Sequence, residues 1–466
     1  MTSTVGTRSH AAGTRHGSSV RRRSDPGVWL APLLLAAIGL GALGVVLLWW
    51  SNTASVVSPA AWITNAGRLC GLLAGYAAPV LVVLMARIPV LDRTLGSDRL
   101  ARWHAMGGRY MVCLVTAHVL LIVWGYSLTD HNSLLGQTTT LVFHYPDMLK
   151  ATIGTVLLLA VGAVSARAAR RRLSYETWYY LHLATYVAIF LTFFHQISNG
   201  AEFVLDPKAK VAWYGLYLGS AALILWFRFT RPILLASRHR LTVAEVRHEA
   251  PGVHSVFITG RRLDELADAT LSGQFFRWRF LQRGLLLAGN PYSLSAPPNR
   301  DYLRITVKDL GHHSAALARL RPGTRVFAEG PYGAFTAQRR PGRHGKVLLL
   351  AAGVGITPLR ALFESLPARR GELTLVYRAR REEDLLFRRE LEAIATARGA
   401  RLHYLLGSRA EVGEPLQART LLSLLPDLRE HDVYLCGPDG MTRTAHQALE
   451  TAGVPRKRIH HESFEF

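Results

Sequence analysis

The stretch HLATYVAIFLTFFHQI, residues 182–197, is apolar enough to cross a membrane, yet it carries His182 at its start and His195 near its end. Ionisable side chains inside a membrane are costly, so each histidine is expected to have a partner or a function. A second apolar stretch, WHAMGGRYMVCLVTAHVLLIVWGY at residues 103–126, carries His104 and His118. Each of the two stretches therefore carries one pair of histidines.

The separations within the two pairs are 14 and 13 residues. They correspond to rises of about 21 and 20 Å along a helix. Two helices running in the same direction would place His104 opposite His182 and His118 opposite His195, at two depths. Neutral imidazole is an axial ligand of haem iron, so we predict that the four side chains bind metal. The alternative is four unrelated histidines that reach toward the membrane interface.

The helical phase suits one pair better than the other. Fourteen residues return to within about 40° of the starting direction, so His104 and His118 share a helix face. Thirteen residues miss it by about 140°. His182 and His195 therefore require either a local distortion, such as a short 3₁₀ turn, or approach from different sides of their helix.

Composition narrows the class of protein. The chain has 466 residues, of which 49% are hydrophobic and 19% charged, with a formal net charge of +23. Much of the arginine lies in the N-terminal tail and between apolar segments, as the positive-inside rule describes, so no nucleic-acid partner is predicted. The three cysteines, Cys70, Cys113 and Cys436, form no CxxC pair. They are too few for a cysteine-ligated iron–sulfur cluster.

Six apolar segments are long enough to cross a bilayer. They lie at about 28–50, 62–87, 104–126, 149–166, 177–197 and 211–228. The intervening stretches at 88–103 and 167–176 are rich in arginine, whereas the loop at 127–148 has no lysine or arginine. This alternation predicts a multi-pass membrane protein, in contact with lipid, with both termini in the cytoplasm.

The order of sequence patterns predicts a multi-domain chain. A disordered basic tail at 1–27 precedes an all-α transmembrane bundle of six helices at 28–230. Alternating apolar and polar residues then predict an antiparallel β-barrel at 236–338. Strands separated by glycine turns and helices predict an α/β domain with a parallel sheet at 345–466.

Five short motifs punctuate the second half of the chain. They are NPYSLSAPP (290–298), VKDLGHHS (307–314), GPYG (330–333), AAGVGITP (351–358) and CGPDGM (436–441). A Pro-Tyr-Ser turn can place an aromatic ring against a flat cofactor. Glycine turns before helices can bind phosphate through free backbone N–H groups, and Pro358 suits a first helical turn. Each motif alone also fits an ordinary turn.

Two groups of arginines have alternative interpretations. Arg378, Arg380 and Arg381 follow a predicted strand, where they either read a ribose 2′-phosphate or form a solvated charge run. Arg68 begins the second apolar segment on the predicted outer side. It is either an interfacial anchor or a partner for a haem propionate or an anionic acceptor.

In this order, the motifs and histidines resemble the ferric reductase and NADPH oxidase superfamily. The resemblance covers about residues 28–466, and the second half is similar to flavoproteins of the ferredoxin-NADP reductase type. It implies FAD, NADPH or NADH, and two b-type haems as cofactors. One residue departs from the pattern: relatives usually have His or Arg where this chain has Asn290, so weaker FAD binding is expected.

The resemblance also implies roles for individual residues. Tyr292 would pack on the flavin ring, Ser293 would hydrogen-bond near its N5 edge, and Phe466 would cover it. Cys436 and Gly437 would lie near the nicotinamide. The remaining cofactor-binding positions are Asn290, Pro291 and Ser295 for the flavin, Lys308, Gly311 and Ser314 for the FAD pyrophosphate, and Gly353, Gly355, Thr357 and Pro358 for the NAD(P)H pyrophosphate.

The expected activity is that of an NAD(P)H oxidase or ferric-chelate reductase, which passes electrons outward to O₂ or ferric iron without an obligate protein partner. Related alternatives are electron supply to a periplasmic or quinone partner, and a flavin reductase merely tethered to the membrane with structural histidines. A rival from another class is a membrane anchor or haem-binding sensor whose second half only binds nucleotide.

Overall fold

A computed structural model describes residues 26–53, 58–166, 172–173, 175–285, 289–340, 345–407 and 413–462. The predicted site residue Phe466 and nearly all of the predicted tail lie outside these ranges. The described part begins with a helical region and continues into three sheets, in the order that the sequence predicts.

The helical region contains every candidate membrane span of the described residues. Six helical segments are long and apolar enough to cross a membrane, as predicted. The helices are α1 (Pro26–Ser51), α2 (Pro59–Leu84), α3 (Pro89–Leu95), α4 (Ser97–Thr129), α5 (Leu134–His144), α6 (Met148–Ser165), α7 (Tyr175–Asn199), α8 (Ala201–Leu205), α9 (Pro207–Ile224) and α10 (Arg231–His239), with a π-helical turn at Leu225–Thr230 between the last two.

Glycines allow the long helices to approach closely. A Cβ added at Gly125 of α4 would lie 2.2 Å from the Thr64 hydroxyl of α2. One added at Gly154 of α6 would lie 2.9 Å from the Ala188 carbonyl of α7. Small residues at helix contacts are typical of membrane bundles. The result is that α4 packs along α2, and α7 packs along α6.

Two features of this region differ from the sequence-based expectation. The loop predicted at 127–148 contains α5, which Ser133 caps by accepting a 3.0 Å hydrogen bond from the Gly136 N–H. This helix has 11 residues, which is too short to cross a bilayer. The sixth span also continues past its predicted end at 228, because the π-helical turn joins α9 to α10.

Two antiparallel sheets follow. One contains β1 (Thr242–Ala250), β2 (Val253–Thr259) and β5 (Leu303–Lys308); the other contains β3 (Phe275–Phe280), β4 (Asn290–Ser293) and β6 (Val326–Tyr332). Isolated bridges join Thr242 to Arg325 and Leu294 to Ile305. The apolar faces of the two sheets share a core that includes the buried Trp278. The described pairing confirms antiparallel sheets, whereas the closed barrel stays a prediction.

The last sheet is parallel, as predicted. Its five strands are β7 (Val347–Ala352), β8 (Leu373–Arg378), β9 (Arg401–Leu405), β10 (Asp432–Cys436) and β11 (Ile459–Glu462), in the order β11-β10-β7-β8-β9. Two short helices precede this sheet, α11 (Leu263–Asp268) and α12 (His312–Leu317). The helices between its strands are α13 (Ile356–Ser365), α14 (Arg388–Arg398), α15 (Ala418–Leu424) and α16 (Asp439–Thr451). β7 and β10 are almost wholly buried, as central parallel strands are. Their carboxyl ends meet at one edge, where the glycine motifs follow.

Candidate functional sites: two histidine pairs and a reductase cleft

The histidines of α4 and α7 face each other in the predicted pairs. The ring centroids of His104 and His182 are 5.9 Å apart, and those of His118 and His195 are 6.4 Å apart. A metal bonded to both rings at ~2.0 Å, plus about one ångström from each nitrogen to its ring centre, places two centroids about 6 Å apart. Both separations therefore fit a metal held between the rings.

Hydrogen bonds fix two of these rings in the state that binds metal. Nδ1 of His104 lies 3.1 Å from the Leu81 carbonyl, and Nδ1 of His118 lies 2.8 Å from the Gly67 carbonyl. A carbonyl can only accept, so each Nδ1 carries the proton and each Nε2 keeps its lone pair. The donor set is thus one that suits haem iron.

The surroundings of His118 are also shaped for a close contact. A Cβ added at Gly71 of α2 would lie 2.6 Å from Nδ1 of His118, so only glycine leaves room for this ring. On α7, His182 stacks on Trp178 with 5.1 Å between ring centroids, and its Nδ1 lies 3.3 Å from the Ser165 hydroxyl. These contacts orient both rings of α4 and His182 of α7, whereas Nδ1 of His195 is buried without a partner among the described residues.

The helical phase is resolved without a distortion. An α-helix runs unbroken from Tyr175 to Asn199, so the 3₁₀ turn considered from the sequence is wrong. His182 and His195 instead leave α7 in different directions, as a spacing of 13 residues in a regular helix requires. Because α7 packs on α6 and not closely on α4, a gap between α4 and α7 accommodates both directions.

Arg68 has a partner that the sequence did not indicate. Its guanidinium donates to Glu202 at 2.5 Å and to the Asn65 side chain at 3.1 Å. Glu202 lies in α8, just after α7, and is 2% exposed. A carboxylate buried to this extent without a cation would be costly. Arg68 follows Gly67, whose carbonyl holds His118. The two functional interpretations of Arg68 stay predictions.

Strands of two sheets form a second site, which we name the reductase cleft: Phe275, Ser293, Tyr332, Gly333, Cys436 and Glu462. Phe275 pairs with both Ser293 and Tyr332 in the sheet register. A Cβ added at Gly333 would lie 3.0 Å from the Phe275 ring and 3.6 Å from Oε1 of Glu462. Glu462 in turn pairs with Cys436 across β10 and β11.

Several polar atoms of the reductase cleft are buried without a partner. Among the described residues, no hydrogen bond reaches the Ser293 hydroxyl, the Tyr332 hydroxyl or Oε2 of Glu462. Buried polar groups normally have partners, and a bound cofactor would supply partners for these three. The ring edge of a flavin carries the donors and acceptors that would satisfy them, and the residues present therefore fit FAD.

Burial changes the titration of groups in and beside the cleft. It raises the pKa of Glu462 to about 8, and the nearby Asp98 carboxyl adds to this rise. Burial and the neighbouring Glu462 raise the pKa of the Cys436 thiol, which is therefore not a thiolate. Burial also raises the pKa of Tyr292 to about 12, against a hydrogen bond from Asn290 that lowers it. Tyr292 and Cys436 therefore offer neutral surfaces.

The glycines predicted to lie on the nicotinamide side follow directly after β7 and β10. A Cβ added at Gly355 would lie 2.2 Å from the Cys436 carbonyl, so this close approach of two loops requires glycine. Gly353 adopts a φ of +54°, a left-handed conformation that favours glycine. Thr357 donates to the Val354 carbonyl at 2.9 Å, and Pro358 lies in the first turn of α13. Gly437 follows β10 directly.

Other predicted site residues have local roles that the sequence did not show. Ser295 is fully buried and hydrogen-bonds Arg304 and Thr306, away from any cleft. The Ser314 hydroxyl accepts from the Leu310 N–H at 2.8 Å and donates to the Gly311 carbonyl at 3.0 Å, closing a turn. Lys308 is exposed beside that turn, and Pro291 and Asn290 lie in β4.

The arginines after β8 differ from one another. The Arg378 guanidinium donates to the carbonyls of Ala379, Leu405 and Gly407, so its N–H groups are already paired with the backbone. Arg381 pairs with Glu383 at 2.7 Å. Arg380 is exposed. Of the three predicted arginines, Arg380 rather than Arg378 is therefore the one that a 2′-phosphate at this edge would meet first.

Three residues of these sites, Glu202, Tyr332 and Glu462, were not anticipated. Tyr332 belongs to the GPYG motif, but the motif assigns no role to its side chain, and no spacing or motif singles out Glu202 or Glu462. Each acquires its role through contacts with residues far along the chain. In the stretch RIHHESFEF at 458–466, nothing distinguishes Glu462 from Glu465 at the level of sequence.

Comparisons with known proteins agree with this arrangement. Residues 70–193 match the ferric reductase like transmembrane component, and residues 349–447 match the oxidoreductase NAD-binding domain. The ferredoxin–NADP reductase B of Sorangium cellulosum is 36% identical over 194 residues, covering 37% of this chain and 77% of that protein.

Other relatives match the same half of the chain. The ferredoxin reductase component of 3-ketosteroid-9-alpha-monooxygenase from Rhodococcus rhodochrous is 32% identical, covering 48% of this chain and 64% of that protein. The glycine betaine monooxygenase reductase subunit of Chromohalobacter salexigens is 35% identical, covering 37% of this chain and 50% of that protein. The chain thus spans between half and about three quarters of the length of these relatives.

Among solved structures, the ferredoxin reductase in carbazole 1,9a-dioxygenase has a TM-score of 0.40 and 22% identity, covering 48% of this chain and 68% of that one. Along this chain, the match to the transmembrane component precedes the match to the NAD-binding domain. The chain therefore belongs to the ferric reductase and NADPH oxidase superfamily, as a membrane oxidoreductase whose transmembrane component precedes an FAD- and NAD-binding module of the ferredoxin-NADP reductase type.

Proposed function

We propose that the protein moves electrons from cytoplasmic NAD(P)H, through FAD and two bis-histidine b-type haems, to an acceptor on the other side of the membrane. The facing histidine pairs, with ring centroids 5.9 and 6.4 Å apart on two candidate spans, carry this proposal. The acceptor is O₂ or a ferric chelate. Each NAD(P)H gives up a hydride; two one-electron acceptors are reduced outside, and one proton is released inside.

The cofactors supply the redox chemistry, and the chain holds and tunes them. His104 and His182 would hold one haem, and His118 and His195 the other. The carbonyls of Leu81 and Gly67 keep the α4 rings in one tautomer and one orientation. Ligand rings held in this way need not rearrange when the charge on the metal changes.

In the reductase cleft, the chain's task is to place the nicotinamide and handle one proton. The Gly355 turn and Cys436 bring two loops together where the nicotinamide would lie. The unpaired oxygens of Ser293 and Glu462 can hold or pass the proton that remains when electrons depart singly. A carboxyl with a pKa of about 8 is protonated at neutral pH and is suited to this exchange.

The direction of transfer rests on charge. Arginine-rich segments at 88–103 and 167–176 favour the cytoplasm, and the reductase module follows the sixth span on that same side. His104 would then belong to the inner pair and His118 to the outer pair. Both termini would be cytoplasmic in a bacterial-type plasma membrane.

A second candidate is electron supply to a protein partner. The names of two relatives describe reductase components of monooxygenases, so the same module could serve a partner rather than O₂ or ferric iron. A membrane-tethered flavin reductase is the remaining alternative. It needs no haem and predicts cytoplasmic activity alone.

Proteoliposomes test the proposal by sidedness. The purified protein is reconstituted with FAD, a ferric chelate is enclosed inside the vesicles, and NADPH is added outside. For molecules oriented with the reductase module outward, we expect NADPH oxidation to reduce the enclosed iron at two Fe(III) per NADPH. Reduction only of iron placed on the NADPH side would contradict transmembrane transfer. Enclosed quinone or oxygen probes then identify the preferred acceptor.

A further inference from the structure

One buried ion pair joins the helical region to the sheet that borders the reductase cleft. Arg87 follows the end of α2 and adopts a φ of +60°, which turns its side chain toward β6. There its guanidinium donates to the Glu329 carboxylate. The two side chains are 16% and 9% exposed. A desolvated pair of this kind depends on both partners, because either one alone would be a buried charge.

Other contacts converge on the same strand. Arg231 of α10 donates to the Gly330 carbonyl at 3.4 Å, one residue after Glu329. Arg277 lies opposite Glu329 in the register of β3 and β6. Asp92 of α3 is buried nearby, where Arg87 and Arg277 both act on its carboxyl. α3 and α10 therefore contact β6 around the Arg87–Glu329 pair.

β6 leads directly into the reductase cleft. Tyr332, three residues after Glu329, packs on Phe275 with 6.0 Å between ring centroids. Gly333 follows and lies against Glu462. A displacement of Glu329 would therefore be transmitted along one strand to groups that face the flavin position.

On the membrane side, the chain of contacts reaches the inner histidine pair. Two residues before Arg87, the Met85 carbonyl accepts from Arg228 at 3.1 Å. Arg228 also donates to the Tyr179 hydroxyl at 3.1 Å. Tyr179 lies on α7 three residues before His182, less than one helical turn away.

We infer that Arg87 is a positioning residue, whose ion pair with Glu329 fixes the distance and orientation between the reductase cleft and the His104–His182 pair. This inference rests on the proposed function, because it matters only if electrons pass between the two regions. Loss of the pair should slow delivery of electrons from the reductase module to the helical region. It should leave hydride transfer from NAD(P)H unchanged, because within the described residues the Arg87 guanidinium donates to Glu329, which lies on β6 and not beside Gly355 or Cys436.

The test compares Arg87→Gln, Glu329→Gln, the double variant, Arg87→Lys and the control Arg238→Gln. The control removes an ion pair between Arg238 of α10 and Glu265 of α11, whose side chains are 53% and 39% exposed. Such exposed pairs contribute little. Full-length protein loaded with FAD and haem is mixed anaerobically with NADPH, and flavin and haem absorbance are followed separately.

We expect flavin reduction within twofold of the parent in every variant. Haem reduction should slow by about tenfold or more in both single Gln variants, since small displacements of a reacting geometry have effects of this size. Arg87→Lys should recover most of the rate, and the double variant should be no slower than either single variant. Equal slowing of flavin and haem reduction, additive single variants, or a parental haem rate in Arg87→Gln would each overturn the inference.

A cofactor-independent readout separates this inference from the proposed function. Hydrogen exchange of Val326–Tyr332 and Pro89–Leu95 is measured without NADPH. Faster exchange in Arg87→Gln and Glu329→Gln, but not in Arg238→Gln, is expected. If the parent protein shows no haem reduction, the proposed function fails; if exchange is then also unchanged in both Gln variants, the positioning role fails independently.

Discussion

The α4 histidines and the reductase cleft differ in how their polar groups are paired. On α4, both histidine rings donate to carbonyls of α2 and are held in one orientation. In the cleft, the Ser293, Tyr332 and Glu462 side chains each bury an oxygen with no partner among the described residues. Under the proposed function, the first region would bind a permanent ligand through fixed atoms, whereas the second would exchange ligands and protons. Four predictions test this contrast.

Replacing His118 by Ala should have the largest effect. One of two haems should be lost, because alanine has no atom that can serve as an axial ligand. Electron transfer across the membrane should then fall by at least about a thousandfold. NADPH should still reduce the flavin at the parental rate. Haem content and reduction of an enclosed ferric chelate are measured, with His131→Ala in the exposed outer loop as the control. Retention of two haems in His118→Ala would break the comparison.

Replacing Glu462 by Gln should slow turnover by about a hundredfold, the usual scale for losing a positioned proton carrier. It should also alter stability. The folded chain holds a proton on Glu462 up to a pKa of about 8, whereas the ordinary value is 4.5. The folded state therefore binds more protons between these values, so stability falls as pH rises through that window.

The unfolding temperature of Glu462→Gln should accordingly decline less than that of the parent between pH 5 and pH 8. Glu430→Gln, which alters an exposed carboxylate, is the control. Parallel pH profiles for Glu462→Gln and the parent would show that this carboxyl is not buried in a proton-holding state.

Replacing Gly355 by Ala should weaken NAD(P)H binding. The added Cβ would lie 2.2 Å from the Cys436 carbonyl, and forcing the two loops apart should cost about 1–3 kcal/mol. We expect KM for NADPH to rise by roughly tenfold with haem content unchanged. Gly440→Ala is the matched control, since a Cβ there meets no atom within 4 Å. Equal KM values for Gly355→Ala and Gly440→Ala would show that the close approach of Gly355 to Cys436 does not affect NADPH binding.

Replacing Arg380 by Ala should have the smallest effect. If the coenzyme is NADPH, its KM should rise by several-fold through loss of a charged hydrogen bond, and that for NADH should not change. Arg378→Ala should instead destabilise the sheet edge, because its guanidinium donates to three backbone carbonyls. An identical change for both coenzymes would indicate that this edge reads no 2′-phosphate.

The two regions also differ in how much of them the sequence reveals. The six spans and the pairing of histidines follow from hydropathy and helical rise, which act within one segment. The same reasoning left two alternatives for the phase of α7, because the gap that accommodates it depends on how α7 packs on α6. It also overlooked α5, which is apolar but too short to be distinguished from a loop.

The cleft was predicted through motifs, and only part of it was predicted. Ser293, Gly355 and Cys436 belong to recognisable turns, so their neighbourhood could be expected. Tyr332 and Glu462 join them only through strand register across separate sheets. Ser295 has the residue type expected of a flavin contact, but Arg304 and Thr306 already satisfy its hydroxyl. Such competition for hydrogen bonds cannot be read from one stretch of sequence.

The absorbance spectrum of the purified, detergent-solubilised protein tests the central claim most directly. With FAD present, it is recorded oxidised and then after anaerobic addition of NADPH. The account predicts b-type haem at about two per chain, reduced by NADPH together with the flavin. A protein without haem, whose flavin NADPH still reduces, would contradict the role of the four histidines and leave a membrane-tethered flavin reductase.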